Sequence, residues 1–258
     1  MLFFVIRTEQ NMNLNDFFKE YREVAIAFSG GTDSAFLCFE ALNYAKKVKA
    51  YYVKTLFQPE FELRDALKFA DEYHLDLCII ECDILKEEII ASNPSDRCYY
   101  CKKTIMQRII NRAVKDGFEI LLDGTNASDD STDRPGMKAL EELKILSPLK
   151  ICGLSKKEIR NLSKEAGLFT WDKPAYACLA TRIPTGEQIT PKLLSITEQS
   201  EKYLSSLGFF DFRVRFKEGG ALIQLKESQF ALYRELETKI TEELEKQYDH
   251  VSLDSNPR

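Results

Sequence analysis

The sequence predicts an α/β fold with a Rossmann-like parallel sheet, followed by a smaller C-terminal α+β region. Three observations carry this prediction. Strand-like apolar runs alternate with helical patterns over about two thirds of the chain, a Ser-Gly-Gly turn joins the first such run to a helix, and the pattern changes near Pro184. Strands that alternate with helices are typical of a parallel sheet covered on both faces.

The first region contains four strand patterns. Val24–Phe28 is a compact apolar run, and Val48–Thr55 is rich in β-branched and aromatic residues. Strands are predicted at 24–28, 48–55, 76–81 and 119–123, and helices at 33–45, 62–73, after the Asn93–Asp96 break, and from the capping box at Ser155–Glu158 to Gly167. A short strand and a helical lead-in are expected within residues 1–20.

The second region has a different pattern. Thr190-Pro191 caps a helix that runs to about Leu207, and Lys217-Glu218-Gly219-Gly220 between two apolar runs is a hairpin signal. A charged helix and a short strand near Val251–Leu253 follow. We therefore predict two domains, residues 1–185 and residues 186–258, the second serving substrate binding or oligomerisation.

Composition excludes several classes of protein. The 258 residues are 44% hydrophobic and 30% charged, which is ordinary for a globular chain and excludes a collagen-like or wholly disordered one. With 36 basic and 41 acidic residues, the net charge of −5 argues against a nucleic-acid binder that works by general electrostatics. The longest apolar runs, 1–6 and 175–180, are far shorter than a membrane span. We expect a cytoplasmic protein without a signal peptide, a membrane or a nucleic-acid partner.

The cysteines point to metal or sulfur chemistry. Seven cysteines, an odd number, do not suit a disulfide framework in a reducing compartment. Cys98 and Cys101 form a Cys-x-x-Cys where a helix begins, and the helix N-terminus with nearby Arg97, Lys102 and Lys103 is expected to lower the pKa of these thiols. With Cys178 they form a set that suits a [4Fe–4S] cluster with one open iron, although a redox-active or incidental pair stays an alternative.

The remaining candidates for metal binding are interpreted as structural. A zinc site usually needs four ligands, and the sequence has no second Cys-x-x-Cys or paired histidines. His74 and His250 are isolated. The other cysteines lie in apolar patterns, where cysteine behaves as a small hydrophobic residue; they are Cys38, Cys78, Cys82 and Cys152.

The glycine-rich segment Ser29-Gly30-Gly31-Thr32-Asp33-Ser34 follows a predicted strand and opens a predicted helix. Its glycines permit backbone angles closed to other residues, and the helix N-terminus offers N–H groups to an anion. Together with the two serine hydroxyls, they predict a pyrophosphate cradle that is neither the Walker loop nor the dinucleotide pattern. The alternative is a plain glycine turn in which Asp33 caps the helix.

Two segments resemble the nucleotide loops of the PP-loop ATP pyrophosphatase superfamily. The hexapeptide matches the signature S-G-G-x-D-S, and Asp123-Gly124-Thr125-Asn126 resembles the second loop, although an ordinary Asp-Gly turn is the alternative. Over nearly its whole length the chain is similar to the LarE family of ATP-dependent sulfur transferases. The stretches that carry the resemblance are AFSGGTDS, DRCYYCKK, LDGTN, DRPGMKA, WDKPAYACLATR and EKYLSSLGFFDFRVRF.

The resemblance implies a reaction and its cofactors. Members adenylate a carboxylate of pyridinium-3,5-biscarboxylic acid mononucleotide with ATP and Mg²⁺, release pyrophosphate and AMP, and form a thiocarboxylate on the way to the nickel-pincer nucleotide. In one branch of the family the cysteine matching Cys178 gives up its own sulfur, and in the other three cysteines hold an iron–sulfur cluster. Because Cys98 and Cys101 are also present, the cluster type is predicted.

The resemblance also implies site residues. The catalytic set is Cys98, Cys101, Cys178, Glu201, Arg213 and Arg215, and the nucleotide-binding set is Ser29, Gly30, Gly31, Asp33, Ser34, Asp123, Gly124, Thr125 and Arg182. Two arginines that alternate on one strand face the same way, and guanidinium groups suit phosphate, although a solvated strand face is the alternative. A sulfur donor and a homo-oligomer are expected.

The sequence departs from the family at two positions, and two other functions stay open. Thr181 stands where a serine is usual and keeps the hydroxyl, while Gln224 occupies a position that is often acidic. The first rival function is a tRNA thiolase, against which the acidic net charge and the absence of an added RNA-binding domain count. The second is a non-catalytic nucleotide-binding module with a structural zinc or cluster.

Overall fold

The computed structural model describes residues 12–129, 135–174 and 176–258. The strand expected at the start of the chain lies outside these residues, as do Asp133, Arg134 and Ala175 of the stretches quoted above. Within the described residues no helix is both long enough and apolar enough to cross a bilayer.

Two compact units interleave along the chain. We call the first the sheet unit, described over residues 12–54, 61–81, 102–129 and 135–173, and the second the hairpin unit, described over residues 55–60, 82–101, 174 and 176–258. The division into residues 1–185 and 186–258 stays a prediction. In chain order the helices are α1 (Leu14–Glu20), α2 (Thr32–Tyr44), α3 (Glu60–Glu72), α4 (Glu88–Ala91), α5 (Arg97–Lys115), α6 (Pro135–Glu142), α7 (Pro148–Ile151), α8 (Lys156–Glu165), α9 (Pro191–Ser206) and α10 (Phe230–Leu244).

The sheet unit confirms the predicted α/β fold. Its strands are β1 (Glu23–Ala27), β2 (Lys47–Lys54), β3 (Leu77–Glu81) and β4 (Leu121–Leu122), in the spatial order β3-β2-β1-β4 and all parallel. The chain steps outward from β1 to β3 and then returns to the other side of β1. The order therefore reverses between β1 and β4, and in open α/β sheets ligands bind beyond the carboxyl ends of strands at such a point.

The short fourth strand differs from its predicted length, 119–123. Only Leu121 and Leu122 pair with β1, and the next N–H, of Asp123, donates to the carbonyl of Leu146 at 2.9 Å. The chain thus leaves the ladder early. As a result, Asp123 lies just beyond the end of β4.

Capping residues fix the helices that the sequence predicts best. At α8 the Ser155 hydroxyl accepts from the N–H of Glu158 while the Glu158 carboxylate accepts from the N–H of Ser155, as the capping box predicts. Gly167, with φ +73°, follows the end of this helix. Thr190 caps α9 through the N–H of Leu193.

The hairpin unit contains a three-stranded sheet. Its strands are β5 (Arg213–Lys217), β6 (Gly220–Gln224) and β7 (Val251–Leu253), with β5 antiparallel and β7 parallel to β6. Val214, Ile223 and Leu225 are fully buried against α9 and α10 residues such as Leu204 and Ile240. This core holds Arg213 and Arg215 at fixed positions on β5.

Candidate active site

The glycine loop lies between β1 and α2, where the sheet order reverses. Its two serine hydroxyls, of Ser29 and Ser34, are 3.0 Å apart, and the Ser29 N–H donates to the Ser34 hydroxyl at 3.2 Å. Gly30 has φ +73°, and a Cβ added there would lie 3.2 Å from the carbonyl oxygen of Glu62. Only glycine fits this close passage without strain.

The second loop packs directly on the start of α2. A Cβ added to Gly124 would lie 2.9 Å from the backbone nitrogen of Ser34, closer than real Cβ atoms approach such an atom. The absence of a side chain at Gly124 therefore lets the two loops approach each other and leaves open space in front of backbone donors. The structure brings the segments Ser29–Ser34 and Asp123–Thr125 together, as a nucleotide site requires.

Asp33 does not cap α2, because the N-cap is Gly31 and no side chain bonds to the free N–H groups there. Its Oδ2 instead pairs with Lys156 Nζ at 2.6 Å. The other oxygen, Oδ1, is buried and has no hydrogen-bond partner among the residues that the structure describes. A buried carboxylate oxygen without a partner is costly, so this atom is suited to a cation or a donor.

A second lysine contacts the glycine loop. Lys173 Nζ donates to the carbonyl of Gly30 at 2.9 Å and pairs with Asp65 at 2.6 Å. Arg160 donates to the carbonyl of Lys173 at 2.6 Å, and this bond fixes the backbone that carries the lysine. The ammonium group is thus held at the edge of the predicted anion cradle.

Asp123 is a buried carboxylate with hydroxyl donors on both oxygens. Thr125 Oγ1 donates to one oxygen and Ser147 Oγ to the other, each at 2.6 Å. Lys102 Nζ lies 4.0 Å from Asp123 Oδ2 and supplies a positive charge. The arrangement fixes the position of the Asp123 side chain at the carboxyl end of β4.

The three predicted cysteine ligands belong to the hairpin unit. Cys98 is exposed, whereas Cys101 and Cys178 are half-buried. Burial first, and then the charge of Cys178, raise the pKa of the Cys101 thiol to about 12, although Arg97 lowers it. Burial likewise raises the pKa of the Cys178 thiol. These directions are opposite to the sequence prediction, because desolvation outweighs the helix N-terminus.

The lysines expected to assist these thiols have other partners. Lys102 faces Asp123, and Lys103 pairs with Glu142 at 2.8 Å. Of the three expected cations, Arg97 is the one that contacts a thiol, with Nη2 3.8 Å from Cys98 Sγ. Besides burial, the charges of Cys178 and Cys98 raise the pKa of Cys101, and the charge of Cys98 raises the pKa of Cys178. In the described part of the chain, however, no three His, Cys, Asp or Glu side chains are already placed to hold a metal ion.

Glu201 is the centre of a buried network beside Cys178. Arg182, whose side chain is fully buried, donates to both Glu201 oxygens at 2.7 and 3.1 Å. The hydroxyl of Tyr176 and the N–H of Val214 also donate to this carboxylate. Because Arg182 also donates to the carbonyl of Ala177 at 3.1 Å, the network fixes the backbone that precedes Cys178.

Arg213 and Arg215 extend this network on β5. Arg213 is buried and lies 5.2 Å from the ring centroid of Tyr176, so it is not on a solvated strand face. Arg215 donates to the carbonyl of Thr181 at 2.6 Å and to Gln224 at 2.7 Å. Burial and the charge of Arg182 lower the pKa of both arginines. The charge of Glu201 acts in the opposite direction and raises the pKa of both.

Comparison with known proteins identifies the family. No family model matches the chain. It is 35% identical to an uncharacterised protein of Synechocystis, over 84% of this chain and 81% of that protein. It is 31% identical to pyridinium-3,5-bisthiocarboxylic acid mononucleotide synthase of Lactiplantibacillus plantarum, over 92% of this chain and 87% of that enzyme. The chain belongs to the LarE family.

A more distant match is consistent with this assignment. The tRNA-specific 2-thiouridylase MnmA of Thermotoga petrophila is 24% identical over 57% of this chain and 52% of that enzyme. The chain is therefore a sulfurtransferase of the PP-loop superfamily, whose members use ATP.

For a LarE protein, two lysines are the main residues that sequence reasoning missed. Lys156 follows the capping serine of α8, and Lys173 lies in the stretch WDKPAYACLATR, so both were inside recognised motifs. Neither motif indicated a partner more than 100 residues away: Asp33 for Lys156 and Gly30 for Lys173. Sequence reasoning also missed the role of Tyr176, because no local pattern predicts its hydrogen bond to Glu201.

Proposed function

We propose that this LarE-family chain uses ATP and Mg²⁺ to adenylate a carboxylate of pyridinium-3,5-biscarboxylic acid mononucleotide and converts it to a thiocarboxylate for the nickel-pincer nucleotide. The observation that carries the proposal is the pair of glycine loops at the reversal of the sheet, with the buried Oδ1 of Asp33 beside them. The name of the Lactiplantibacillus relative, a synthase of pyridinium-3,5-bisthiocarboxylic acid mononucleotide, supports the substrate class.

The sheet unit has the groups that an ATP site needs. N–H groups at the start of α2 and the two serine hydroxyls suit the phosphates. Lys156 and Lys173 offer charge to them, while the free oxygen of Asp33 suits Mg²⁺, which prefers carboxylates and phosphates as ligands. An AMP group transferred to the substrate would leave pyrophosphate in the same cradle.

The hairpin unit has the groups that an anionic substrate needs. Arg182 pairs with Glu201, while burial and the charge of Arg182 lower the pKa of Arg213 and Arg215, so an additional anion beside these two arginines would be favourable. A phosphate or carboxylate of a mononucleotide would balance this charge, because guanidinium forks bind both groups well.

The cysteines fit an iron–sulfur cluster by their donor chemistry. Cys98, Cys101 and Cys178 provide three thiols, and the guanidinium of Arg97, 3.8 Å from Cys98 Sγ, lowers the pKa of Cys101 and Cys178 and so favours their thiolates. When bound by these residues, a [4Fe–4S] cluster would supply the sulfur that is transferred. Cys178 as a sacrificial sulfur source is the alternative within the same family.

The proposed reaction has two steps. In the first, a carboxylate oxygen bonds to the α-phosphorus of ATP, and the bond from that phosphorus to pyrophosphate breaks. In the second, a sulfur nucleophile bonds to the acyl carbon, and the carbon–oxygen bond to AMP breaks. A free carboxylate reacts poorly with a nucleophile because its oxygen is a poor leaving group. In the acyl-adenylate the leaving group is AMP, a stable anion that departs readily.

The test is a reaction with ATP, Mg²⁺ and the pyridinium dicarboxylate mononucleotide under anaerobic conditions. We expect pyrophosphate release that depends on the mononucleotide, and a product in which mass spectrometry finds sulfur in place of oxygen. Cys178→Ala is expected to keep pyrophosphate release and lose the sulfur product. Pyrophosphate release without added mononucleotide, or none at all, would contradict the proposal.

A tRNA thiolase is the second candidate, because the thiouridylase of Thermotoga petrophila matches part of the chain. The net charge of −5 counts against it. Pyrophosphate release stimulated by tRNA, with binding that weakens steeply as salt rises, would favour this function. The proposal for the mononucleotide also includes a sulfur donor for repeated turnover, a homo-oligomer and a cytoplasmic location.

A further inference from the structure

Two buried polar residues join the Cys-x-x-Cys segment to the segment after Cys178. Asn93 and Arg97 lie just before and at the start of α5, and both are buried. Arg97 Nη1 donates to Asn93 Oδ1 at 2.5 Å and to the carbonyl of Ala180 at 3.0 Å. One guanidinium thus bridges the start of the cysteine helix and the third residue of the sequence Cys178-Leu179-Ala180.

Asn93 makes a second bridge to the same segment. The side-chain nitrogen of Asn93 donates to the carbonyl of Pro184 at 2.7 Å and to that of Ile183 at 3.3 Å. The backbone carbonyl of Asn93 accepts from the N–H of Gly186 at 2.8 Å. Asn93 has φ +55°, a left-handed conformation that asparagine tolerates better than most residues. Asparagine suits this position because it tolerates the left-handed backbone and also supplies the side-chain amide that makes the bridge.

Arg97 also contacts the sulfur of Cys98. Arg97 Nη2 lies 3.8 Å from Cys98 Sγ, so the group that binds the Cys178 segment also touches the first cysteine of the pair. Cys178 itself is an irregular loop residue, the N-cap of a single turn of 3₁₀ helix. The bridges from Asn93 and Arg97 tie this loop to the start of the helix that carries Cys98 and Cys101.

We propose that Asn93 and Arg97 are positioning residues that hold the segment of Cys178 against the start of the helix that carries Cys98 and Cys101, so that a small movement brings the three thiols together. The inference rests on the proposed function for its purpose, which is sulfur delivery. Its geometric content, the bridge between the two cysteine segments, stands in the metal-free protein and can be tested there.

The chemistry of the two side chains explains why simple replacements fail. A planar guanidinium serves two acceptors and a sulfur in different directions, whereas a lysine ammonium on a flexible stem keeps the charge but not this fixed geometry. Glycine at position 93 tolerates the left-handed backbone but removes the amide bridge. Arg97→Lys and Asn93→Gly therefore each remove positioning while avoiding charge loss or backbone strain.

The experiment is cross-linking of the metal-free protein with dibromobimane, a reagent that bridges two thiols, with peptides identified by mass spectrometry. In the natural sequence we expect bridges between Cys178 and Cys98 or Cys101. Each variant should lower their yield about tenfold, the change in population that corresponds to one lost hydrogen bond to a charged group. Arg108→Lys, an exposed arginine on the same helix, is the matched control and should leave the yield unchanged.

Three outcomes separate the inference from the proposed function. Equal yields in the variants and the natural sequence, with single-thiol alkylation and melting also unchanged, would overturn the positioning role. Absence of the bridge in the natural sequence would overturn it as well. If the bridge forms but anaerobic reconstitution loads no iron, the positioning role is supported while the cluster proposal fails. Because the two variants are independent, poor folding of one leaves the other as the test.

Discussion

Lys156 Nζ lies 2.6 Å from Asp33 Oδ2, while the second oxygen of the same carboxylate is buried without a hydrogen-bond partner. Half of this carboxylate is therefore satisfied by the protein and half is not. In the proposed enzyme the free half suits a magnesium ion that accompanies ATP, and Lys156 fixes the side chain that offers it.

Asp33→Asn should lower mononucleotide-dependent pyrophosphate release by about 10- to 100-fold, because an amide binds Mg²⁺ less well and no longer pairs with Lys156. The rate measured across Mg²⁺ concentrations checks this: the variant is expected to need more metal. Asp71→Asn, at an exposed position on α3, is the control. An unchanged Mg²⁺ requirement in Asp33→Asn would contradict the assignment.

Gly124→Ala should weaken ATP binding because the new methyl group would force the second loop away from Ser34. A clash of this kind costs about 1–3 kcal/mol. Calorimetric titration with ATP measures the effect. Gly117→Ala is the comparison: its φ of +86° strains the backbone, but its methyl group would meet no atom within 4 Å. Both changes should lower the melting temperature, and only the first should weaken binding.

Lys173→Gln should weaken binding of ATP and pyrophosphate more than binding of AMP, because the ammonium at the Gly30 carbonyl lies at the phosphate cradle. Lys157→Gln, exposed on α8, serves as the control. Competition binding with the three ligands gives the ratio directly. An equal loss for all three would instead indicate a general loosening of the loop.

Glu201→Gln should destabilise the protein severely, by about 3–5 kcal/mol, because it leaves the buried guanidinium of Arg182 without its ionic partner. Tyr176→Phe removes one hydrogen bond to the same carboxylate and should cost about 1–2 kcal/mol. Urea unfolding of both variants measures the difference. A Glu201→Gln protein as stable as the natural sequence would show that the arginine finds another partner.

The stability of the metal-free protein should decrease with rising pH above about 9. Burial first, and then the charge of Cys178, raise the pKa of Cys101 from 9.0 to about 12. Well below pH 9 the Cys101 thiol is protonated in both the folded and the unfolded protein, so its ionisation does not reduce the free energy of unfolding. As pH rises toward 12 the unfolded thiol ionises first, so this stability is lost. Cys101→Ala should flatten the dependence seen in urea unfolding, whereas Cys98→Ala, which changes an exposed thiol, should not.

Local patterns predicted the parts of this structure that depend on neighbours along the chain. The alternation of strands and helices, the capping box at Ser155 and the glycine loop all follow from short-range physics. What they could not predict are contacts between distant segments, such as Asp33 with Lys156. Nor could they predict that desolvation would dominate the thiol of Cys101, because burial is a property of the folded chain. Nor could they predict that Leu146 pairs with the other edge of β4, through its N–H to the carbonyl of Leu121 and its carbonyl to the N–H of Asp123.

The two units exchange the chain five times, and one exchange falls within α5, between Cys101 and Lys102. Neither unit corresponds to one continuous stretch of gene. A single excised segment that ends at any one of these exchanges would therefore leave at least one unit incomplete. Each unit is whole only when segments from distant parts of the chain are present together.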